Sequence, residues 1–319
     1  MKNFKSLVLT FIGMLALIVC ASMFTACTQD EYLPEINQTE ENLMENDTPM
    51  TRAYSDWTGL DVRDPDNPSN FVPGIYLLKR GSANTYVIKV NLNSRQIKAY
   101  YQQNATDISG FKSFDGLSIN SFNLTSLQWY VVINASFFNA AGDSDPYRLP
   151  FCLKKNGTYA TAGYNSYVST PATDGYRRYF AIKNNKAYMG DAFYDTDITG
   201  TFTPSTESAM ETDLDARMNY PDIFMGLDPI NADKSGSSYV GRTMVGINTS
   251  QRNIVYILVA SAIKQSQAVS YLQNDFGCND IVMFDGGGSS QFRFVDVDNM
   301  GWKVTSSDNR SVPVYFAIK

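Results

Sequence analysis

From about Phe71 to the C-terminus, short runs of β-branched and aromatic residues alternate with clusters of Gly, Asn, Asp and Ser. Branched and aromatic side chains pack well on a pleated surface, and the small polar residues between them accept tight turns, so the pattern predicts strands. Strands are expected at 75–79, 86–92, 130–134, 179–182, 243–248, 254–260, 280–284, 291–295 and 312–318. Two segments break this rhythm. Residues 205–218 open on Ser-Thr-Glu with acids in the first half, and residues 266–276 set Ala268, Leu272 and Phe276 on one face before Gly277. Both are predicted helices. No internal repeat of fixed period is present. The expected fold class is α+β, β-dominated, with a few helices around one mixed sheet core in a single globular domain over 55–319.

The N-terminal part has another texture. Lys2 and Lys5 precede an uncharged, strongly apolar run reaching Val19, followed by small residues and Cys27, the layout of a secretory signal. Phe24-Thr25-Ala26-Cys27 resembles a bacterial lipobox, which makes residues 1–26 a lipoprotein signal peptide and Cys27 the lipidated new N-terminus. The acidic flank after Cys27 is similar to signals that send some Gram-negative lipoproteins to the cell surface. Residues 27–54, rich in acids and amides with little apolar periodicity, are expected to be a flexible acidic tether. The expected location is the cell envelope, lipid-anchored to the outer membrane through Cys27 and facing the periplasm or the surface.

Composition removes several chemistries. The 319 residues contain no His, which excludes Ser-His-Asp triads, Cys-His dyads and imidazole metal sites. Carboxylates, Tyr, Lys and water held by them remain for proton transfer near neutral pH. Lys and Arg number 26 against 32 Asp and Glu; loss of Lys2 and Lys5 leaves 24 against 32, a mature net charge of −8. Such a chain is not expected to bind nucleic acid, which needs clustered cations. Of four Cys, Cys20 leaves with the signal and Cys27 is acylated, so Cys152 and Cys278 remain, either paired or as two buried thiols. The i, i+2 acids Asp143 with Asp145 and Asp195 with Asp197 have calcium-loop spacing but lack the rest of an EF-hand, so they read as solvated turns. No cofactor is implied; a divalent cation is compatible with an acidic phosphate site, and no spacing demands one.

Three constellations remain. In Val131-Val132-Ile133-Asn134-Ala135-Ser136-Phe137-Phe138, an apolar strand delivers an amide at its end, able to donate and accept as a sugar hydroxyl requires, or to bond its own turn. Phe137 and Phe138 are placed near the site as wall or support. In Gly241-Arg242-Thr243-Met244-Val245-Gly246, Arg242 offers a guanidinium fork for phosphate or carboxylate, or a surface ion pair. In Ile281-Val282-Met283-Phe284-Asp285-Gly286-Gly287-Gly288-Ser289-Ser290, a buried strand ends in a carboxylate. The glycines after it free the backbone for unusual φ and for an N–H nest that can hold an anion. A strand rather than a helix follows, so this is neither a P-loop nor a dinucleotide fingerprint.

Taken in order, Asn134 to Phe138, Arg242 to Gly246, Asp280 with Asp285-Gly-Gly-Gly-Ser-Ser, and Arg310-Ser-Val-Pro resemble the phosphodiester glycosidase family over essentially the whole body. The resemblance implies hydrolysis of a sugar-1-phosphodiester, with Asn134, Arg242, Asp285, Gly286, Gly287, Gly288 and Ser289 on the family's motif positions. Asp285 is then the expected catalytic carboxylate, with Asn134 and Arg242 beside it and Asp280 as second candidate or brace. The expected partner is an extracytoplasmic carbohydrate phosphodiester. The rival reading is a non-catalytic, glycan-binding surface lipoprotein.

Overall fold

The computed structural model describes residues 56–60, 62, 71–104, 112–138, 147–163, 176–191, 207–232, 234, 236–295, 302–304 and 310–319. All of them belong to one compact unit, Pro49–Lys319. Cys27, the tether and the Asp143–Asp145 and Asp195–Asp197 pairs lie outside the described residues.

The strands in chain order are β1 (Trp57–Leu60), β2 (Ile75–Arg80), β3 (Thr85–Asn91), β4 (Ile97–Tyr101), β5 (Val131–Asn134), β6 (Leu153–Lys155), β7 (Thr158–Thr161) and β8 (Arg177–Lys183). They continue with β9 (Lys186–Asp191), β10 (Asp222–Leu227), β11 (Val240–Ile247), β12 (Ile254–Ile263), β13 (Asp280–Phe284), β14 (Gln291–Phe294), β15 (Trp302–Val304) and β16 (Val314–Ile318). Each predicted strand overlaps an observed one. The predicted helices appear as Glu207–Arg217 and as Gln265–Ser270, which runs on as a π-turn over Tyr271–Asp275. Ala268, Leu272 and Phe276 form the buried face expected of the second.

The expectation of one mixed sheet is corrected. The strands form two sheets: an 11-stranded one in the order β1-β2-β3-β12-β11-β13-β10-β6-β7, with β8 and β9 branching from β10, and a 5-stranded one, β15-β14-β5-β16-β4. Every ladder among the described residues is antiparallel. Unbroken apolar runs such as Ile254–Ala260 report burial on both faces, a condition that parallel sheets meet routinely and that this fold meets by stacking layers.

The layers can be read from side-chain alternation. Val255, Ile257 and Val259 of β12, Val282 and Phe284 of β13, and Ile133 of β5 with Phe316 of β16 meet between the sheets in the main core. Tyr256, Leu258, Ile281 and Met283 point the other way, into a second core completed by Trp57, Leu272 and Phe276. Val132 and Tyr315 face outward from the small sheet, under Phe122 and Leu124. Aromatic edges tie the sheets together, with Phe316 4.6 Å from Phe224 and 5.0 Å from Phe284 between ring centroids. A fully buried Phe such as Phe316 contributes roughly 2–3 kcal/mol by area alone.

β10 escaped the sequence pattern because Asp222 and Gly226 interrupt its apolar run, and both have structural reasons. A Cβ at Gly226 would run into the Met283 carbonyl of β13. Asp222 is 4% exposed and accepts from Lys98 Nζ at 2.7 Å and from the Asn156 N–H at 3.0 Å. Cys152 and Cys278 are both buried thiols not joined by a disulfide, and burial pushes the Cys278 thiol up to about 12.

Candidate functional site

β5, β11 and β13 end at one place, where Asn134 joins them. Its Nδ2 donates to the Asp285 carbonyl at 2.8 Å. Its Oδ1 accepts from Thr243 Oγ1 at 2.8 Å and from the Gln291 N–H at 3.0 Å. With 1% exposure and these bonds, Asn134 fixes the end of β13 rather than presenting its amide to a ligand. The Asp285 N–H donates to the Ala135 carbonyl at 3.1 Å, which locks the two strand ends together. Register adds Thr243, directly across from Phe284. Thr243 was passed over in the sequence, although a hydroxyl in a fully buried apolar strand must find a partner, and that requirement was its signal.

The glycines serve close approach. A Cβ at Gly286 would lie 2.6 Å from the Gly241 carbonyl, and one at Gly241 would collide with the Gly287 carbonyl and lie 2.8 Å from Ser290 Oγ. The loop backbone therefore lies directly on the start of β11. Gly287 has φ +60°, the left-handed region open to glycine. The expected N–H nest is partly spent within the loop: Ser289 N–H bonds the Gly286 carbonyl at 3.2 Å and Ser290 N–H the Gly287 carbonyl at 3.3 Å. The Gly286 N–H serves the Asp285 carboxylate itself.

Asp285 is half-buried, and burial pushes its carboxyl up to about 6. Three influences pull the other way: the Ser289 hydroxyl, the Gly286 N–H and the charge of Arg310. The Ser289 contact falls outside hydrogen-bond geometry, so Ser289 Oγ, like Ser136 Oγ, is a buried hydroxyl with no protein partner. Leaving a buried hydroxyl unsatisfied costs about 1–3 kcal/mol. An unsatisfied Ser289 hydroxyl at a destabilised carboxylate is the kind of arrangement found where function, not stability, sets the residues.

Arg310 is the cation that acts on Asp285. It is exposed, its guanidinium sits 4.9 Å from the centre of the Phe138 ring, and its carbonyl accepts from Gln291 Nε2 at 2.8 Å. Sequence reading noted Arg310 only within its motif. Phe138 is half-buried against Tyr147 at 5.1 Å, on the rim with Arg310. Phe137 is 5% exposed and packs edge-on to Phe151 at 5.4 Å, a core residue rather than a wall.

Two expected members bond to partners of their own. Arg242 is 3% exposed, and its Nη1 donates to the Lys234 carbonyl at 2.6 Å and approaches Gln265 Oε1 at 3.5 Å. It therefore joins β11 to the segment that follows Asp228. Gln265 holds the same segment from the other side, donating to the Pro229 and Ala232 carbonyls at 2.7 and 2.6 Å. Asp280 begins β13, five residues and about 16 Å from Asp285 along extended chain. It pairs with Arg178 Nη2 at 2.6 Å, and Asp228 lies 3.9 Å from Arg178 Nη1. Among the described residues no three acids or cysteines gather as a metal-holding group.

No protein-family description matches the sequence, and no curated protein matches it. Solved structures show a partial likeness. A hypothetical protein from Synechocystis is 12% identical with a TM-score of 0.44, covering 78% of this chain; the chain spans 62% of that protein's length. The zebrafish N-acetylglucosamine-1-phosphodiester alpha-N-acetylglucosaminidase catalytic domain, auto-inhibited by its pro-peptide, is 12% identical with a TM-score of 0.44, covering 82% of this chain and 81% of its own. A Burkholderia pseudomallei protein described as exported is 10% identical with a TM-score of 0.42, covering 76% of this chain and 74% of its own. Likeness at this level assigns no activity.

Proposed function

We propose that the Asp285 cluster is a hydrolytic site that cleaves a sugar-1-phosphodiester outside the cytoplasm. The observation that carries the reading is Asp285 itself. It is a half-buried carboxylate with its pKa raised to about 6, at the end of a buried strand, with the buried Ser289 hydroxyl beside it. A base poised just below neutrality is mostly ionised at pH 7 and still able to take a proton. The ordered motifs shared with phosphodiester glycosidases support the same chemistry.

In this reading Asp285 takes a proton from water as the water oxygen bonds the anomeric carbon. The anomeric C–O bond breaks, and its electron pair leaves with the phosphate monoester. Phosphate is a good leaving group, so one carboxylate suffices where ordinary glycosidases use a pair. Arg310 at the rim offers charge to the substrate phosphate, and the Ser136 and Ser289 hydroxyls are free to bond substrate or water. Asn134, Thr243 and Arg242 are positioning residues: they fix the β13 end and the adjoining segment. We further propose that Cys27 carries the lipid, so labelling with a radioactive fatty acid is expected in the full chain and lost in Cys27→Ala.

The deciding experiment is hydrolysis of a panel of α- and β-sugar-1-phosphodiesters in water labelled with heavy oxygen, with Asp285→Asn alongside. Label in the released sugar, absent in the variant, supports the proposal. Label in the phosphate means P–O cleavage and overturns it, and saturable binding without turnover across the panel favours the glycan-binding reading.

A further inference from the structure

The opposite end of the small sheet holds a cleft of about 340 Å³ that shares no residue with the Asp285 cluster. It lies where Ile97 of β4 pairs with Ile318 of β16, and Ile318 also pairs with Val131 at the other end of β5 from Asn134. The volume falls at the low end of small-ligand pockets, roughly 300–1,000 Å³.

Charge sets this cleft apart from the rest of an acidic protein. Arg95, Lys98 and Lys183 line it, and Asp222 is the one acid in its described lining. Asp222 neutralises one of the three, accepting from Lys98 Nζ at 2.7 Å and from the Asn156 N–H at 3.0 Å, so the described lining keeps a net charge of +2. More cations stand close by. Burial lowers the Lys155 pKa, and the charges of Lys98 and Lys319 lower it further, with Asp222 alone opposing. A group of like charges held around one hollow is unfavourable until an anion fills it.

The walls are built rather than incidental. Asn156 and Gly157 have φ +51° and +82°, and Asn184 and Asn185 have +52° and +58°. These are the left-handed pairs of two-residue type I′ hairpin turns, joining β6 to β7 and β8 to β9. Gly157 N–H is bonded to the Pro221 carbonyl at 2.7 Å, and Gln96 and Lys319 exchange both backbone bonds at 2.8 and 3.1 Å. Arg95 lies 4.7 Å over Tyr130 and donates through Nε to the Pro73 carbonyl at 2.6 Å. Cations anchored this way lose little freedom when a ligand arrives.

The remaining lining identifies the ligand class. Gln96, Asn184 and Asn185 bring amides, which donate and accept as sugar hydroxyls require, to a lining that includes Ile97 and Ile182, while Asn156 Oδ1 already accepts from Lys98 Nζ at 2.8 Å. We propose that this cleft binds an anionic carbohydrate segment, its carboxylate, sulfate or phosphate groups on the cations and its hydroxyls on the amides. The site is independent of the Asp285 reaction and would hold a charged polymer at the face opposite the bond-breaking cluster.

The test is calorimetric titration of the full chain with matched-length oligogalacturonate, sulfated heparin oligosaccharide, neutral malto-oligosaccharide and inorganic phosphate. Saturable binding of one or both charged glycans is expected, well above the neutral glycan and above phosphate. The comparison of carboxylated with sulfated probe identifies the anion. Lys155→Gln combined with Lys183→Gln should weaken that binding about tenfold or more while leaving the circular dichroism and turnover intact. Asp285→Asn should not change it. Equal binding of the neutral glycan, phosphate binding as tight as the glycan, full affinity in the double variant, or no binding of either charged probe would each overturn the proposal.

Discussion

Strand β13 has a carboxylate at each end, and the two are treated oppositely. Asp280 opens the strand and pairs with Arg178 at 2.6 Å, with Asp191 and Asp228 in the same charge cluster. Asp285 closes it and meets a glycine N–H, a hydroxyl outside bonding geometry and the exposed Arg310. Burial raises both pKa values. At the first end an ion pair answers that burial, whereas at the second the fold tolerates it. A carboxylate that has found its cation is part of the scaffold. One held in a glycine loop with unsatisfied neighbours has capacity left for a ligand.

The sharpest way to break this contrast is Asp285→Asn. Turnover should fall by about a thousandfold or more, as for loss of a base and its charge. The same variant should gain stability at neutral pH. Because the folded pKa, about 6, lies above the ordinary carboxylate value of 3.8, the native state binds the proton more tightly than the unfolded chain does. The parent's stability therefore declines as pH rises from about 4 through about 6, and Asn escapes the loss. Denaturant unfolding should show a gain of about 1–3 kcal/mol at pH 7 that vanishes near pH 4. A loss of stability at pH 7 would mean that Asp285 is structural after all.

Glycine substitutions at the two ends come next. Gly286→Ala drives a Cβ to 2.6 Å from the Gly241 carbonyl, backbone against backbone, and should cost about 2–4 kcal/mol together with most of the turnover. At the other end Gly277, with φ +67°, has only Asn248 Nδ2 at 3.8 Å, so Ala there should cost about 1 kcal/mol of backbone strain and leave turnover alone. Thermal melts with parallel assays separate the two outcomes.

Asp280→Asn separates the two ends by turnover, which should stay within a few-fold of the parent. Because burial raises the Asp280 pKa as well, stability at neutral pH should rise rather than fall, by less than in Asp285→Asn since the Arg178 charge opposes the burial, and chemical denaturation at pH 7 and pH 4 checks it. The smallest shift is expected in the pH profile of Arg310→Gln, beside the rise in KM that loss of its charge to the substrate phosphate brings. Loss of its charge raises the Asp285 pKa, so the acid limb of the kcat/KM profile should move up by about a few tenths of a pH unit. An unmoved limb would detach Arg310 from the site.

The local residue patterns were informative about elements and loop chemistry. Branched runs between small polar residues located the strands at 75–79 and 254–260, and the Ala268-Leu272-Phe276 stripe located a helix face, because extended and helical backbones impose periods that a single chain displays. Asp285 and its glycines were legible as well, since a carboxylate followed by three glycines has few structural uses. The short strand β7 and the interrupted β10 were not, because their residues are chosen by neighbours: Gly226 answers to Met283 and Asp222 to Lys98.

The chain alone displays the β-dominated class, the place of most strands and the glycine loop after β13. Packing settled the rest. It split the strands into two antiparallel sheets, since apolar runs report two-sided burial but not what lies on either side. It turned Asn134 into a clamp, set the charge of Arg310 on Asp285, tied Arg242 to the Lys234 carbonyl, and sent Asp280 to the far end of its strand. It also brought Lys183 to Arg95 and Lys98 around one cleft. Charge and hydrogen-bond partners are settled by distances of a few ångströms across strands far apart in sequence, and such distances exist only once the sheets have packed.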